Sequence, residues 1–161
     1  MTDRLKETTI HAALAAAVTD VLESMFFIET FEESSESPEA PATEVEIRFD
    51  GDPPGRFQMR LAPEAAQCFA ADFLGEDAGS VSERQSADVA LELANMICGA
   101  VLSRLESSAC FRLDSPRIVL AGGLAEAAEA SRFTVETGNG RLTAAIQWGG
   151  RTCLATAEYV S

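Results

Sequence analysis

Residues 86–106 read SADVALELANMICGAVLSRLE. With each residue turned about 100° from the last, Leu91, Ala94, Ile97, Cys98, Val101, Leu102 and Leu105 share a broad apolar arc. The opposite arc carries Asp88, Glu92, Asn95, Gly99, Ser103 and Glu106, with Met96 on its edge. An apolar arc of that width has to be covered by another layer of structure. The spacing therefore predicts a long helix from about Glu83 to Ser107, buried on one side and solvated on the other.

Outward from that helix, both flanks alternate rather than turn. Val45, Ile47 and Phe49 face one way, and Phe57, Met59 and Leu61 do the same after the turn chemistry of Asp50-Gly51-Asp52-Pro53-Pro54-Gly55. This is a hairpin with a long turn. Pro63 then opens a helix where its missing N–H is harmless, and that helix ends near Gly75. Downstream, Arg117–Leu120 reads as a short strand, and Leu124–Ala130 fits either a helical turn or a loop. Three further strands follow, at about Arg132–Thr137, Arg141–Trp148 and Thr152–Val160. Gly138-Asn139-Gly140 and Gly149-Gly150 supply their hairpin turns.

At the amino end, Ile10, Leu14, Ala17, Val18, Val21, Met25 and Ile28 recur at helical spacing, so a first helix is expected over about Leu5–Ile28. Phe26 and Phe27 close it against the core, and His11 lies on the flank of the stripe as a structural histidine. Residues 28–44, IETFEESSESPEAPATE, hold too little apolar area to bury and read as a flexible acidic loop at about 29–43. The order of elements predicts a single α+β domain over residues 1–161: an antiparallel sheet covered on one face by long helices.

Composition narrows the partners. The chain is 47% hydrophobic, which suits a packed core. Its net charge of −14 would repel phosphate backbones and anionic membranes, so neither nucleic acid nor membrane is expected as a partner. The charge reads most plainly as solubility, with a partner surface presenting positive charge as the alternative. Cys68, Cys98, Cys110 and Cys153 form no C-x-x-C pair, and His11 is the only histidine, so no metal site is expected. The thiols read as reduced. No wholly apolar run reaches the length of a membrane span, and MTDRLKETT lacks the pattern of a signal peptide, so the expected compartment is the cytoplasm.

The polar arc of the long helix is the one constellation that suggests chemistry. Asn95 is a poor mid-helix residue because its amide competes for backbone hydrogen bonds. Gly99 one turn later weakens the helix by about 1 kcal/mol relative to Ala. A bare backbone on an exposed face lets another chain come close. Glu92 and Asn95, three apart, are neighbours on the helix surface. A carboxylate can hold a cation, and a carboxamide can both donate to and accept from a water molecule.

ELANMICG, with its E-x-x-N-x-x-x-G pattern on a long helix, resembles the CheC/CheX/FliY chemotaxis phosphatases, and VLESMFF is similar to the first helix of CheX-type members. The resemblance implies a phosphatase that dephosphorylates a phosphorylated CheY-type response regulator. Glu92 would hold the regulator's active-site lysine, and Asn95 would orient the attacking water. Asp88, Met96, Gly99 and Ser103 would form the docking surface. The chain would need no cofactor of its own, because Mg2+ would be carried by the regulator. CheC-type members carry the pair on two helices. Here Asn occurs only at Asn95 and Asn139, which implies one CheX-like site per chain. A homodimer is likewise implied. One departure is Ala100, where many members have a second Asn. The alternative is a non-catalytic module of the same fold that binds a receiver domain or another signalling protein.

Overall fold

The computed structural model describes residues 2–26, 28–34, 42–51, 54–105, 111–119 and 130–148. Three helices, α1 (Thr2–Met25), α2 (Pro63–Leu74) and α3 (Glu83–Leu105), accompany seven strands. The strands are β1 (Thr30–Ser34), β2 (Thr43–Asp50), β3 (Gly55–Leu61), β4 (Arg112–Leu113), β5 (Arg117–Val119), β6 (Ser131–Thr137) and β7 (Gly140–Trp148). They form one antiparallel sheet in the order β1-β6-β7-β3-β2-β4, with β5 also on β2.

Strand alternation decides which face is covered. Val45, Ile47 and Phe49 lie opposite Met59, Phe57 and Gly55, and those oppose Ala144, Ile146 and Trp148. Phe57, Met59, Leu61, Leu142 and Ala144 are fully buried. Leu14, Val18 and Leu22 of α1, Phe69 of α2, and Leu93, Ile97 and Val101 of α3 complete the same core. Burying one such Leu, Ile or Phe side chain stabilises the fold by about 1.5–3 kcal/mol. This gives the α+β architecture expected from the element order.

Gly75 and Gly55 are each required by geometry. Gly75 ends α2 at φ 69°, ψ 35°, a left-handed cap in which its N–H reaches Ala71 O. Gly55 leaves room for the β7 backbone: a Cβ there would lie 2.1 Å from Gln147 O and 2.5 Å from the Phe49 ring. A side chain at Gly55 would push β3 away from β7.

Two expectations are corrected. Thr30–Ser34, read as part of the acidic loop, is strand β1, paired antiparallel with β6 from Thr30↔Thr137 to Ser34↔Thr134. An available sheet edge supplied the backbone partners that the local composition did not suggest. Residues 35–41 lie outside the described residues. The hairpin expected across Gly149-Gly150, with its strand at about Thr152–Val160, lies outside the described residues, as do Phe27 and residues 120–129. Arg112–Leu113, which was not anticipated, adds a two-residue strand on β2.

The sheet face turned away from the helices is polar yet largely buried. Glu46 is its hub. Arg117 Nη2 donates to Glu46 Oε1 at 2.9 Å, Gln58 Nε2 to Oε2 at 3.0 Å and Arg48 Nε to Oε1 at 3.3 Å, and Arg56 Nη1 stands 3.6 Å from Oε2. Beside it Arg60 pairs with Glu44 at 3.1 Å, and the Thr134 and Thr143 hydroxyls share a hydrogen bond of 2.7 Å. Burial alone would raise the Glu46 carboxyl. The hydrogen bonds from Arg117 and Gln58 and the charge of Arg48 outweigh it and hold the group below the usual carboxylate range.

Candidate functional site

α3 begins with a reciprocal cap. Gln85 N donates to Ser82 Oγ at 3.1 Å, and Ser82 N donates to Gln85 Oε1 at 2.9 Å. That fixes where the helix starts and therefore which residues turn outward. Val89, Ala90, Leu93, Ala94, Ile97, Cys98, Val101 and Leu102 are buried. Leu91 and Leu105, placed in the apolar arc by spacing, are only partly buried against the core. By length and composition α3 could cross a bilayer, but its apolar side is taken up by the core of the domain.

The opposite stripe carries the residues singled out by sequence. Asp88, Glu92 and Ser103 are exposed, and Asn95, Met96 and Gly99 are part-exposed. Glu106 lies outside the described residues. Met96 also packs against the core and borders the stripe. Among the described residues, neither Glu92 nor Asn95 has a side-chain hydrogen bond or ion pair, so the carboxylate and the carboxamide both face solvent with their bonding capacity unspent. One helical turn separates them, which brings their Cβ atoms to within about 5–6 Å. A Cβ built at Gly99 meets nothing within 4 Å. Among the described residues, no contact therefore requires glycine there. The bare patch of backbone leads directly on from the Glu92–Asn95 pair.

The neighbouring helix is tied to α3 beyond the stripe, where Arg104 forms an ion pair with Asp20 of α1. Arg104 also leans back toward Ala100 O at 3.4 Å. Ala100 is partly buried against the core, so a side chain there would sit at the edge of the stripe rather than in its centre.

Charge is divided between the two layers. Exposed carboxylates on the helices include Asp20, Glu23, Glu64, Asp72, Glu83, Asp88 and Glu92, whereas the sheet arginines Arg48, Arg56, Arg60 and Arg117 are gathered around Glu44 and Glu46 on the far face. The stripe therefore lies in the more acidic half of a molecule of net charge −14. A basic surface would be drawn to it. Sequence reading did not find the Glu46 hub. Glu46 and Arg117 stand 71 residues apart, and only the β2–β5 register brings them together.

Among the described residues, no group of three or more His, Cys, Asp or Glu side chains could hold a metal ion. Cys98 is buried, and burial pushes its thiol up to about 12, so it is a packing residue and not a nucleophile. The chemistry available to the site is therefore positioning: one anionic and one amide group, fixed on a rigid helix beside an open approach.

Several solved structures share this arrangement of helices and sheet. The chemotaxis protein CheX from Desulfovibrio desulfuricans is 16% identical, with a TM-score of 0.67 over 86% of this chain and 98% of that one. CheX from Vibrio vulnificus is 18% identical, with a TM-score of 0.67 over 85% of this chain and 94% of that one. A chain of the CheX–CheY–BeF3–Mg2+ complex from Borrelia burgdorferi is 18% identical, with a TM-score of 0.66 over 86% of this chain and 97% of that one. These likenesses show the fold. No curated protein matches the sequence. Residues 45–137, more than half of the chain and spanning all of α3, match the family described as chemotaxis phosphatase CheX. With its sheet, its three helices and its exposed α3 stripe, the chain belongs to the CheX family of chemotaxis phosphatases.

Proposed function

We propose that this chain hydrolyses the aspartyl phosphate of a CheY-type receiver domain, with α3 as the docking helix. The observation that carries this reading is the pair of exposed Glu92 and part-exposed Asn95, with no side-chain partner among the described residues, beside a glycine that no contact among those residues requires. A helix that served only to cover the sheet gains nothing from Asn and Gly at those places. The Borrelia burgdorferi neighbour was solved with CheY, which supports a receiver as the partner.

In the docked complex Glu92 pairs with a lysine of the receiver and sets the register. The Asn95 carboxamide accepts from, and donates to, a water held in line with the phosphorus. The water oxygen forms the new bond to phosphorus, and the bond from phosphorus to the aspartyl oxygen breaks. The aspartate is restored as carboxylate, and inorganic phosphate leaves with the water's protons. Mg2+ would be brought by the receiver, where it would offset charge on the phosphoryl oxygens, and no residue of this chain is asked to hold it. This chain's contribution is to fix the water and the approach, which is where most catalysis of phosphoryl transfer resides. The protein works in the cytoplasm and as a homodimer. A monomer mass by light scattering at high concentration would reject the dimer.

The test is phosphate release from a phosphorylated receiver domain, with receiver binding titrated separately. Asn95→Ala should lose about 100-fold in turnover, as expected for a misplaced water, while binding stays near wild type, because the amide acts mainly in the transition state. Unchanged turnover in Asn95→Ala would refute the water-positioning role and leave a receiver-binding module.

A further inference from the structure

Away from the α3 stripe, a cleft of about 510 Å3 lies between the first turns of α2 and α3 and the edge strand β5. Pro63, Val81 and Ala87 give it apolar walls, and Glu64 and Glu83 stand on it as exposed carboxylates. No Lys or Arg is among its described lining residues. Its volume falls within the range of small-ligand pockets.

Ile118 supplies the cleft's strand-side wall. It pairs with Val45, whose side chain is on the helix-covered face and fully buried, yet Ile118 itself is 43% exposed. The reason is its place in the sheet. β5 pairs with β2 alone, and among the described residues no strand occupies its outer side. An open strand edge with an uncovered apolar side chain can accept an extended chain through main-chain hydrogen bonds, with alternate side chains turned into the adjoining groove.

Charge selects the occupant. On an added strand, residues two apart face the same way, so one would rest on Ile118 while the next reached Glu64 or Glu83. A second copy of β5 fits poorly: its only cation, Arg117, lies on the opposite face and is bound to Glu46 at 2.9 Å. We propose that this cleft is a docking groove for an extended segment of a partner protein that carries a basic residue two places from an apolar one. The groove is separate from the Glu92–Asn95 stripe and does not depend on the phosphatase reading.

The experiment uses the full chain, isotope-labelled for amide spectra, and the probe peptide Lys-Thr-Val-Thr-Lys with its counterpart Glu-Thr-Val-Thr-Glu. The lysine peptide should shift amides of β5 and of the first turns of α2 and α3, and the glutamate peptide should leave them unmoved. Glu64→Gln with Glu83→Gln should weaken binding by about tenfold, since each exposed ion pair contributes modestly. Both positions are exposed, so the variant keeps its fold. Ile118→Asp should abolish the shifts at β5, while phosphate release in all variants stays at the wild-type rate. Shifts confined to other surfaces, or equal binding of the glutamate peptide, would overturn the proposal. So would self-association through β5 that Ile118→Asp abolishes, because the groove would then be filled by a second copy.

Discussion

Replacing Gly99 separates what α3 needs for folding from what it needs for docking. A Cβ at this position meets no atom within 4 Å, and the residue has ordinary helical backbone. Gly99→Ala therefore adds a methyl group to open space and removes the helix penalty of glycine. The gain should be about 1 kcal/mol, which in a domain of this size raises the melting temperature by about 2–4 °C. The same methyl sits where the partner's backbone is argued to come closest. Gly99→Ala should weaken receiver binding slightly, and Gly99→Leu should weaken it by more than about tenfold, since an overpacked contact costs roughly 1–3 kcal/mol. The assays are thermal unfolding by circular dichroism and a binding titration against a phosphorylated receiver. A destabilised Gly99→Ala would show that something within the fold contacts this position. A Gly99→Leu variant that binds and turns over like the wild type would refute the idea that the bare backbone serves a partner.

Three further outcomes are expected. Glu92→Ala should bind the receiver more weakly and with a smaller salt dependence, with stability changed by less than about 0.5 kcal/mol because the position is exposed; titration at two ionic strengths checks this. Glu46→Gln should destabilise the domain by about 3 kcal/mol at neutral pH, because Arg48, Arg56 and Arg117 lose their shared counter-charge. The Glu46 carboxyl is held below its ordinary value of 4.5, so its contribution is present above that pH and lost as pH falls through the lowered value; the gap between wild type and variant in denaturant melts should narrow below about pH 4.5. Cys98 should resist iodoacetamide at pH 8 in the folded protein and react once the chain is unfolded, with the labelled peptide identified by mass spectrometry.

The long helix, its buried arc and its polar stripe were legible from the sequence, because a 3.6-residue period is a local property and α3 is long enough to show it over six turns. The same holds for the β2–β3 and β6–β7 hairpins, whose turn residues lie between their strands. Asn95 and Gly99 drew notice for a local reason too: each is a poor helix residue at its own position. What local pattern could not supply was pairing between distant segments. Glu32 and Glu33 look like loop, yet Thr30–Ser34 becomes a strand because β6, about 100 residues later, offers a free edge. β7 sits between β6 and β3, and the β3–β7 pairing joins segments about 90 residues apart that no local turn announces. Glu46 alternates like any solvated strand residue, and only the register of β2 with β3 and β5 turns it into the centre of an arginine cluster. Periodicity records which way a side chain points along its own element, whereas the long-range register that decides what it meets is set by the competition of whole strands for edges.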